Sequence, residues 1–139
     1  MRICGVSLDS SGATVVVVDA DEAGNVIVHE TEIRKIPLTN HEDASALQDF
    51  AQTWASFLRD HSIGEIALRR CTYKGKYTSG AAAIKMEALL QLCAVSVELL
   101  SPQTINAVRR KLDATLPDGL KNYQQEAFGA ALAKAQPRQ

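Results

Sequence analysis

Short apolar runs separated by turn residues make up the first part of the chain. Residues 2–9 and 13–20 are two such runs, and the turn-prone residues 9–12 between them predict a β-hairpin. In residues 26–36 polar and apolar positions partly alternate, as in an edge strand that ends before Pro37. Because tight turns join these three strands, we expect them to be antiparallel.

The period of the pattern then changes from two to about 3.6 residues. The apolar positions that follow have helical spacing: Leu47, Phe50, Ala51, Trp54 and Leu58. Asn40 with Asp43 predicts the cap that begins this helix, and Gly64 predicts its end.

Strands and helices alternate in the rest of the chain. Residues 66–68 predict a buried strand and residues 95–99 a fifth strand, with a well-buried helix between them at residues 79–93. Ser101-Pro102 is typical of a helix start, and residues 121–135 predict a last helix. Its inward positions would be Tyr123, Ala127, Ala130 and Ala131. The order is βββ-α-β-α-β-α-α, an α/β fold with a mixed five-stranded sheet, since strands joined through helices are parallel.

Composition limits the class of protein. The 139 residues suit a single domain, 1–139, and 46% hydrophobic with 22% charged residues excludes a disordered chain. A net charge of −1 excludes a uniformly basic polyanion binder, so any such site must come from local clustering. The beginning of the sequence is unlike a signal peptide and no apolar run reaches the length of a membrane span. With three widely spaced cysteines, we expect a cytoplasmic protein with reduced thiols and no membrane partner.

One segment, 69–85, concentrates positive charge. It has no acid and five basic residues: Arg69, Arg70, Lys74, Lys76 and Lys85. Tyr73 and Tyr77 lie between the lysines, so rings for stacking on bases stand beside charges for phosphates. The segment ends where a helix begins, a position that favours anions. We interpret it as a site for nucleic acid or a phosphate-bearing ligand. A solvated, flexible loop or a surface for a protein partner are the alternatives.

Several landmarks of the chain resemble those of a known superfamily. They are Gly5-Val6-Ser7 before a hairpin, Ile66-Ala67-Leu68-Arg69 entering a basic loop, Leu100-Ser101-Pro102 before a helix, and Glu126-Ala127 near the end. Together they resemble the ribonuclease-H-like Holliday-junction resolvases. The stretch from Lys74-Gly75-Lys76 through Gly80 to residues 85–92 resembles a bacterial family known only as a domain of unknown function. The resemblance implies a ribonuclease-H-like fold with helices on both faces of the sheet.

The resemblance also implies where a nuclease would keep its acids. In the resolvases four acidic side chains hold two divalent metals, and the acid of the first strand falls here on Ser7, with Asp9 two residues later. The acid of the fourth strand falls on Arg69, and that of the last helix on Glu126. An arginine cannot bind a cation and offers an ion pair to Asp9 or Glu126 instead. Whether Arg69 or Arg70 faces this position depends on the strand register.

Other reactive residues have structural alternatives. Asp9, Glu98 and Glu126 are the candidate catalytic acids, and the alternative is that they form ion pairs, with Asp9 capping the hairpin turn. Cys71 follows two arginines that would lower its pKa, but no histidine is placed to assist it. Residues 109–111 are a basic helix face that is either solvated or an extension of the basic surface. We assign no metal ligands.

Three functions follow from these observations. The first is a non-catalytic, resolvase-like module that binds nucleic acid or a phosphorylated ligand through residues 69–85, without a cofactor. The second is a homo-oligomeric interaction scaffold, such as a homodimer. The third is a magnesium-dependent nuclease with a reduced carboxylate set.

Overall fold

The predicted hairpin begins the chain. In the computed structural model, which describes residues 1–93 and 95–137, strand β1 (Arg2–Asp9) pairs antiparallel with strand β2 (Gly12–Ala20), from Arg2 opposite Asp19 to Asp9 opposite Gly12. The four consecutive valines of β2 are buried. They fill both sides of the sheet because alternate residues of a strand point to opposite faces. The two strands are therefore central and not a solvated ribbon.

The predicted third strand is interrupted. Strands β3 (Val26–His29) and β4 (Lys35–Pro37) both pair antiparallel with β2, one against its end and the other against its beginning. Between the pairs Val17–His29 and Thr14–Lys35 there are two residues on β2 and five on the other side. The three extra residues leave the ladder as a bulge, which includes the exposed Ile33. Partial alternation predicted the edge position correctly but did not show the bulge.

The later elements follow the predicted order. Helix α1 (Ala44–Asp60) leads to strand β5 (Glu65–Arg69), helix α2 (Ala81–Gln91), strand β6 (Ser96–Leu100) and helix α3 (Pro102–Lys111). A short 3₁₀ turn (Asn122–Gln124) and helix α4 (Gln125–Ala135) follow. The Asp43 carboxylate accepts the N–H of Ser45 at the start of α1, and the Ser101 hydroxyl accepts that of Thr104 at the start of α3. Asn40 instead accepts the N–H of Glu42, before the helix.

The strands form one mixed sheet with helices on both faces. Its order is β3-β2-β1-β5-β6, with β4 beside β2, and β5 is parallel to both β1 and β6. One face packs on α1 and α2 through Val6, Val15 and Ile66, among others, and the opposite face packs on α3 and α4 through Val16 and Ala67. The mixed α/β architecture expected from the sequence is confirmed. No helix in the described ranges combines the length and apolarity needed to cross a bilayer.

Helix α4 lies unusually close to the central strand. A Cβ built on Gly5 would stand 2.0 Å from the carbonyl oxygen of Ala127, so β1 needs glycine where the helix crosses it. Ala127, Ala130 and Ala131 are buried as predicted, because small side chains permit this approach. Tyr123 was predicted to point inward but is 55% exposed. It lies in the 3₁₀ turn, where Gln124 is buried instead and donates to the carbonyl oxygen of Val15.

Candidate nucleic-acid interface

The loop between β5 and α2, residues 70–80, is here called the basic loop. Its base is fixed by backbone hydrogen bonds: the Arg70 N–H donates to the Leu100 carbonyl oxygen at 2.8 Å, and the Ser79 N–H donates to that of Thr72 at 2.8 Å. The Ser79 hydroxyl accepts the N–H of Thr72 at 2.9 Å in return. The loop is thus closed on itself at Thr72 and Ser79, and its tip projects from the edge where β5 and β6 end.

A buried carboxylate anchors the loop to α2. Glu87 is 3% exposed, and its Oε2 accepts the backbone N–H of Cys71 at 2.7 Å. Its Oε1 accepts a hydrogen bond from the hydroxyl of Tyr73. Because the carboxylate holds that proton, the pKa of Tyr73 is raised to about 12. Glu87 therefore fixes both the backbone and one aromatic side chain of the loop.

The loop tip presents rings and cations to solvent. Tyr73 is 52% exposed although its hydroxyl is held, and Tyr77 is 81% exposed. The Lys76 ammonium lies over the Tyr77 ring, 5.6 Å from its centroid. Such an arrangement offers flat faces for bases and charges for phosphates on one surface.

A cavity of about 360 Å³ lies beside the loop. One side is formed by Arg70, Thr72, Tyr73 and Lys74, and the other by Pro102 and Gln103 in the first turn of α3. The N-terminal turn of a helix favours anions, because its N–H groups point outward and its dipole is positive there. The cavity thus combines two cationic side chains with a helix N-terminus.

Lys85 is not part of this surface. Its ammonium donates to the carbonyl oxygen of His41 at 2.9 Å, beside the loop that precedes α1. Residues two positions apart on a helix are separated by about 200° around its axis. Lys85 therefore points away from the basic loop when Glu87 faces it. The sequence grouped Lys85 with the other cations, but the helical geometry separates it.

Arg69 faces α4 and pairs with its first turn. Arg69 Nε lies 3.2 Å from Oε2 of Glu126, an ion pair by distance, although the N–H is not aligned to make a hydrogen bond. From α3, Arg109 donates to the other oxygen of Glu126 at 3.5 Å. Arg70 is exposed and lines the cavity instead. The register therefore gives the two consecutive arginines different surroundings.

Asp9 lies in the hairpin turn. Its Oδ1 accepts hydrogen bonds from the N–H and hydroxyl of Ser11 and from the N–H of Gly12. Its Oδ2 accepts one from the Lys35 ammonium at 2.7 Å. Burial tends to raise the pKa of Asp9, but the hydrogen bonds from Lys35 and Ser11 outweigh it and hold that pKa below its usual range. These contacts are those of a turn-capping residue.

Glu98 lies apart from both other acids. Its carboxylate accepts a hydrogen bond from the Lys134 ammonium of α4 at 2.9 Å. This ammonium also lies 3.2 Å from the Glu65 carboxylate at the start of β5. Burial lowers the pKa of Lys134, but the attraction of its ammonium to the carboxylates of Glu98 and Glu65 outweighs burial, so this pKa is raised. Glu126 is two turns away on the same helix, at the opposite end of β5. The three candidate catalytic acids are therefore not brought together.

The residues present do not fit a two-metal centre. Ser7 lies beside Arg69 on the neighbouring strand, one step beyond the paired residues Val6 and Leu68. Both oxygens of Glu126 face guanidinium groups, and Asp9 is neutralised by Lys35. Across residues 1–93 and 95–137, no group of three His, Cys, Asp or Glu side chains is arranged to bind a metal ion.

Cys71 is not activated by its arginine neighbours. Burial, together with the negative charge of Glu87 and a hydrogen bond to it, raises the pKa of the thiol to about 11. The charge of Arg69 acts in the opposite direction but is outweighed. Burial and the Glu87 carboxylate therefore outweigh the lowering of the thiol pKa that the two preceding arginines predict.

Glu87 is the site residue that the sequence analysis missed. Arg109 was placed on a basic helix face, but its contact with Glu126 was not foreseen. Glu87 falls at helical spacing from Ala83 and Leu90, which are both buried, so the pattern placed a carboxylate on the inward face of α2. A buried acid needs partners, and that requirement was the available signal. Nothing in the sequence pattern distinguishes Arg109 from Arg110, because the Glu126 contact depends on how α3 crosses α4.

Comparison with solved structures identifies the fold. Thermus thermophilus RuvC, solved with a Holliday junction substrate, superposes with a TM-score of 0.67 at 14% identity over 97% of this chain and 93% of that chain. The yeast mitochondrial Holliday junction resolvase Ydc2 gives 0.63 at 13% identity over 96% and 77%. The fowlpox virus resolvase, in complex with Holliday junction DNA, gives 0.55 at 15% over 97% of each. The expected ribonuclease-H-like, resolvase-like fold is confirmed.

Sequence comparison assigns the family. A search of curated proteins found no significant match. The model of one family matches residues 1–134, which is nearly the whole chain. The chain belongs to the family described as protein of unknown function DUF3010.

Proposed function

We propose that this protein is a non-catalytic nucleic-acid-binding module that uses the basic loop and the cavity beside it. The observation that carries the proposal is the exposed Tyr73 ring, held by Glu87 between Arg70 and Lys74 at the cavity. A fixed ring loses little conformational freedom when a base stacks on it. Such stacking contributes about 1–3 kcal/mol per base, judged from alanine substitutions. Two relatives in fold were solved with Holliday junctions, which supports a nucleic-acid partner for this surface.

The charge distribution agrees with this proposal. The chain has a net charge of −1, yet Arg69, Arg70, Lys74 and Lys76 lie at one edge of the sheet with no acid among residues 69–86. Lysine and arginine contacts to phosphates release counterions and make affinity depend steeply on salt. Absence of cleavage is part of the proposal, since the candidate acids are separated and paired with cations.

The test is fluorescence anisotropy with labelled single-stranded, duplex and four-way-junction oligonucleotides, over a salt series, followed by a gel. We expect saturable binding of intact oligonucleotide, with log affinity falling by about 0.9 per phosphate contact for each unit of log salt. Lys74→Ala with Lys76→Ala should weaken binding and reduce this slope by about two. Lys85→Ala is the matched control, because its ammonium lies away from the loop. No binding at low salt would remove nucleic acid, and cut product would establish a nuclease.

A second candidate is a scaffold that pairs with another copy of this chain. An apolar groove of about 630 Å³ lies between α1 and the end of α2, and Leu92 at its rim is 82% exposed. In a two-fold interface the same surface of both copies is in contact. The exposed Leu92 of one copy could therefore pack into the apolar groove of the other. Sedimentation over a concentration series tests this, with Leu92→Lys as the variant expected to shift a dimer to a monomer. A monomer at all concentrations would contradict it.

A further inference from the structure

Two arginines from different elements meet at one carboxylate near the basic loop. Arg69 ends β5 and Arg109 lies in the last turn of α3, and both reach Glu126 in the first turn of α4. The three side chains are 35%, 25% and 41% exposed, so they are accessible and not a buried core pair. Two positive charges and one negative charge leave the cluster with a net charge of +1.

The cluster keeps hydrogen-bond donors for a further anion. Arg69 approaches Glu126 through Nε, and within residues 1–93 and 95–137 its two terminal nitrogens form no hydrogen bond. Arg109 uses one terminal nitrogen, Nη1. A guanidinium group has five N–H donors in a planar fork that matches two oxygens of a phosphate. The carboxylate therefore orients both guanidinium groups without occupying all of their donors.

The position of the cluster connects it to the proposed interface. Arg69 directly precedes Arg70, whose side chain lines the cavity beside the basic loop. A strand on that surface would pass from the loop to the cluster along the edge where β5 ends. The same edge is where the resolvase resemblance places metal-binding acids, and the residues here do not fit a metal.

We propose that Arg69 and Arg109, oriented by Glu126, form a metal-independent clamp for a phosphodiester group of the bound nucleic acid. The clamp rests on the proposed function and specifies which two side chains bind one phosphate. The positive charge that the phosphate meets is supplied by two side chains, so binding needs no divalent cation. A divalent cation at this position would be repelled by the guanidinium groups that already pair with Glu126.

The first measurement compares oligonucleotide affinity in EDTA and in magnesium at matched ionic strength. We expect the two dissociation constants to agree within about twofold, since the guanidinium groups are permanently charged. Binding that requires magnesium would overturn the clamp. A titration of the protein with Mn²⁺ alone, followed by electron paramagnetic resonance, checks the same point without nucleic acid. A saturable site that Glu126→Gln abolishes would also overturn it.

The second measurement uses arginine variants in the same anisotropy assay. Arg69→Ala and Arg109→Ala should each weaken binding about tenfold and reduce the salt slope by about one, as expected for a lost phosphate contact. Arg110→Ala is the matched control, an exposed neighbour on α3, and should stay within about twofold. Arg69→Lys keeps the charge but loses the fork, so a folded protein with two- to fivefold weaker binding is expected.

The two proposals fail in different ways. If the wild-type protein binds no oligonucleotide at low salt, the proposed function is wrong. If the wild type binds, and Lys74→Ala with Lys76→Ala weakens binding while both arginine-to-alanine variants bind as the wild type does, the interface stands and the clamp is wrong.

Discussion

The carboxylate of Glu87 accepts the backbone N–H of Cys71 at 2.7 Å, and this bond joins the middle of α2 to the first residues of the basic loop. Glu87 is 3% exposed and also holds the hydroxyl of Tyr73. Charged side chains are rarely buried without compensation, and here the compensation comes from two donors of one loop. The shape of the candidate interface therefore depends on a residue that any ligand would scarcely touch.

Glu87→Ala should destabilise the protein and loosen the loop. It leaves a buried N–H without an acceptor, which costs about 1–3 kcal/mol of unfolding free energy. Urea denaturation measures this loss, and amide hydrogen exchange at Cys71 should accelerate. Gln91→Ala, on the exposed side of the same helix, is the control and should change stability by less than about 0.5 kcal/mol. Equal stability of the two variants would mean that the anchor is unimportant.

Gly5→Ala should destabilise the protein through a steric conflict. The added Cβ would lie 2.0 Å from the Ala127 carbonyl oxygen and 2.8 Å from the Ala131 nitrogen, so β1 and α4 must separate. Such overpacking costs about 1–3 kcal/mol and sometimes more. Gly64→Ala is the matched control, since the nearest atom to its Cβ is the Arg2 carbonyl oxygen at 3.6 Å. Thermal unfolding measures both, and unchanged stability of Gly5→Ala would contradict the close approach.

The sequence predicts the strands and helices better than it predicts the contacts at the candidate interface. The valine run of β2, the helical stripe of α1 and the Ser101-Pro102 start of α3 are local signals, and local signals determine where strands and helices form. The interruption between β3 and β4 depends on pairing with β2 across the sheet, so the local pattern does not show it.

Side-chain partners depend on contacts between distant segments. Asp9 pairs with Lys35 and Glu98 with Lys134, and each pair joins elements that are far apart in sequence. Charge patterning found the cations of the basic loop because they lie close together along the chain. It could not show that Lys85 points away, nor that Arg109 reaches Glu126, since both depend on the orientation of a helix.

Alkylation of Cys71 should be slow at neutral pH. The thiolate is the reactive form, and the pKa of this thiol is raised to about 11 by burial and by Glu87. The iodoacetamide rate at Cys71, followed by peptide mass spectrometry, should reach half its maximum near pH 11 and not near the ordinary value of about 8.5. Since the pKa of this thiol is higher in the folded state, the protonated thiol contributes to the free energy of unfolding. That contribution is complete below about pH 8.5 and is lost as pH rises through the folded pKa.

Glu87→Gln is the informative variant for this measurement. It removes the negative charge that opposes the thiolate while keeping a similar shape, so the half-maximal pH should fall. Tyr73→Phe leaves the carboxylate in place and serves as the control. A wild-type midpoint at or below pH 8.5 would mean that the neighbouring arginines dominate after all.

Asp9→Asn should remove part of the acid sensitivity of the fold. Lys35 and Ser11 hold the pKa of Asp9 below its usual range. The stabilising contribution of this carboxylate is therefore present above the ordinary aspartate pKa of about 3.9 and is lost as pH falls through the lower folded value. The Asp9 side chain is 53% exposed, so the contribution should be below about 1 kcal/mol. Urea denaturation between pH 2 and 6 should show a flatter acid limb than the wild type.

Two further variants separate the turn from the ion pair. Lys35→Met removes the ammonium but keeps the Ser11 and Gly12 donors, so it should reproduce only part of the Asp9→Asn effect. Asp49→Asn, an exposed position on α1, should leave the acid limb unchanged. If Asp9 instead served a metal-dependent nuclease, its carboxylate would be needed for cleavage. The wild type would then cut a four-way junction in magnesium, and Asp9→Asn would not. A turn-capping Asp9 instead predicts a change in the acid limb and no cutting by either protein.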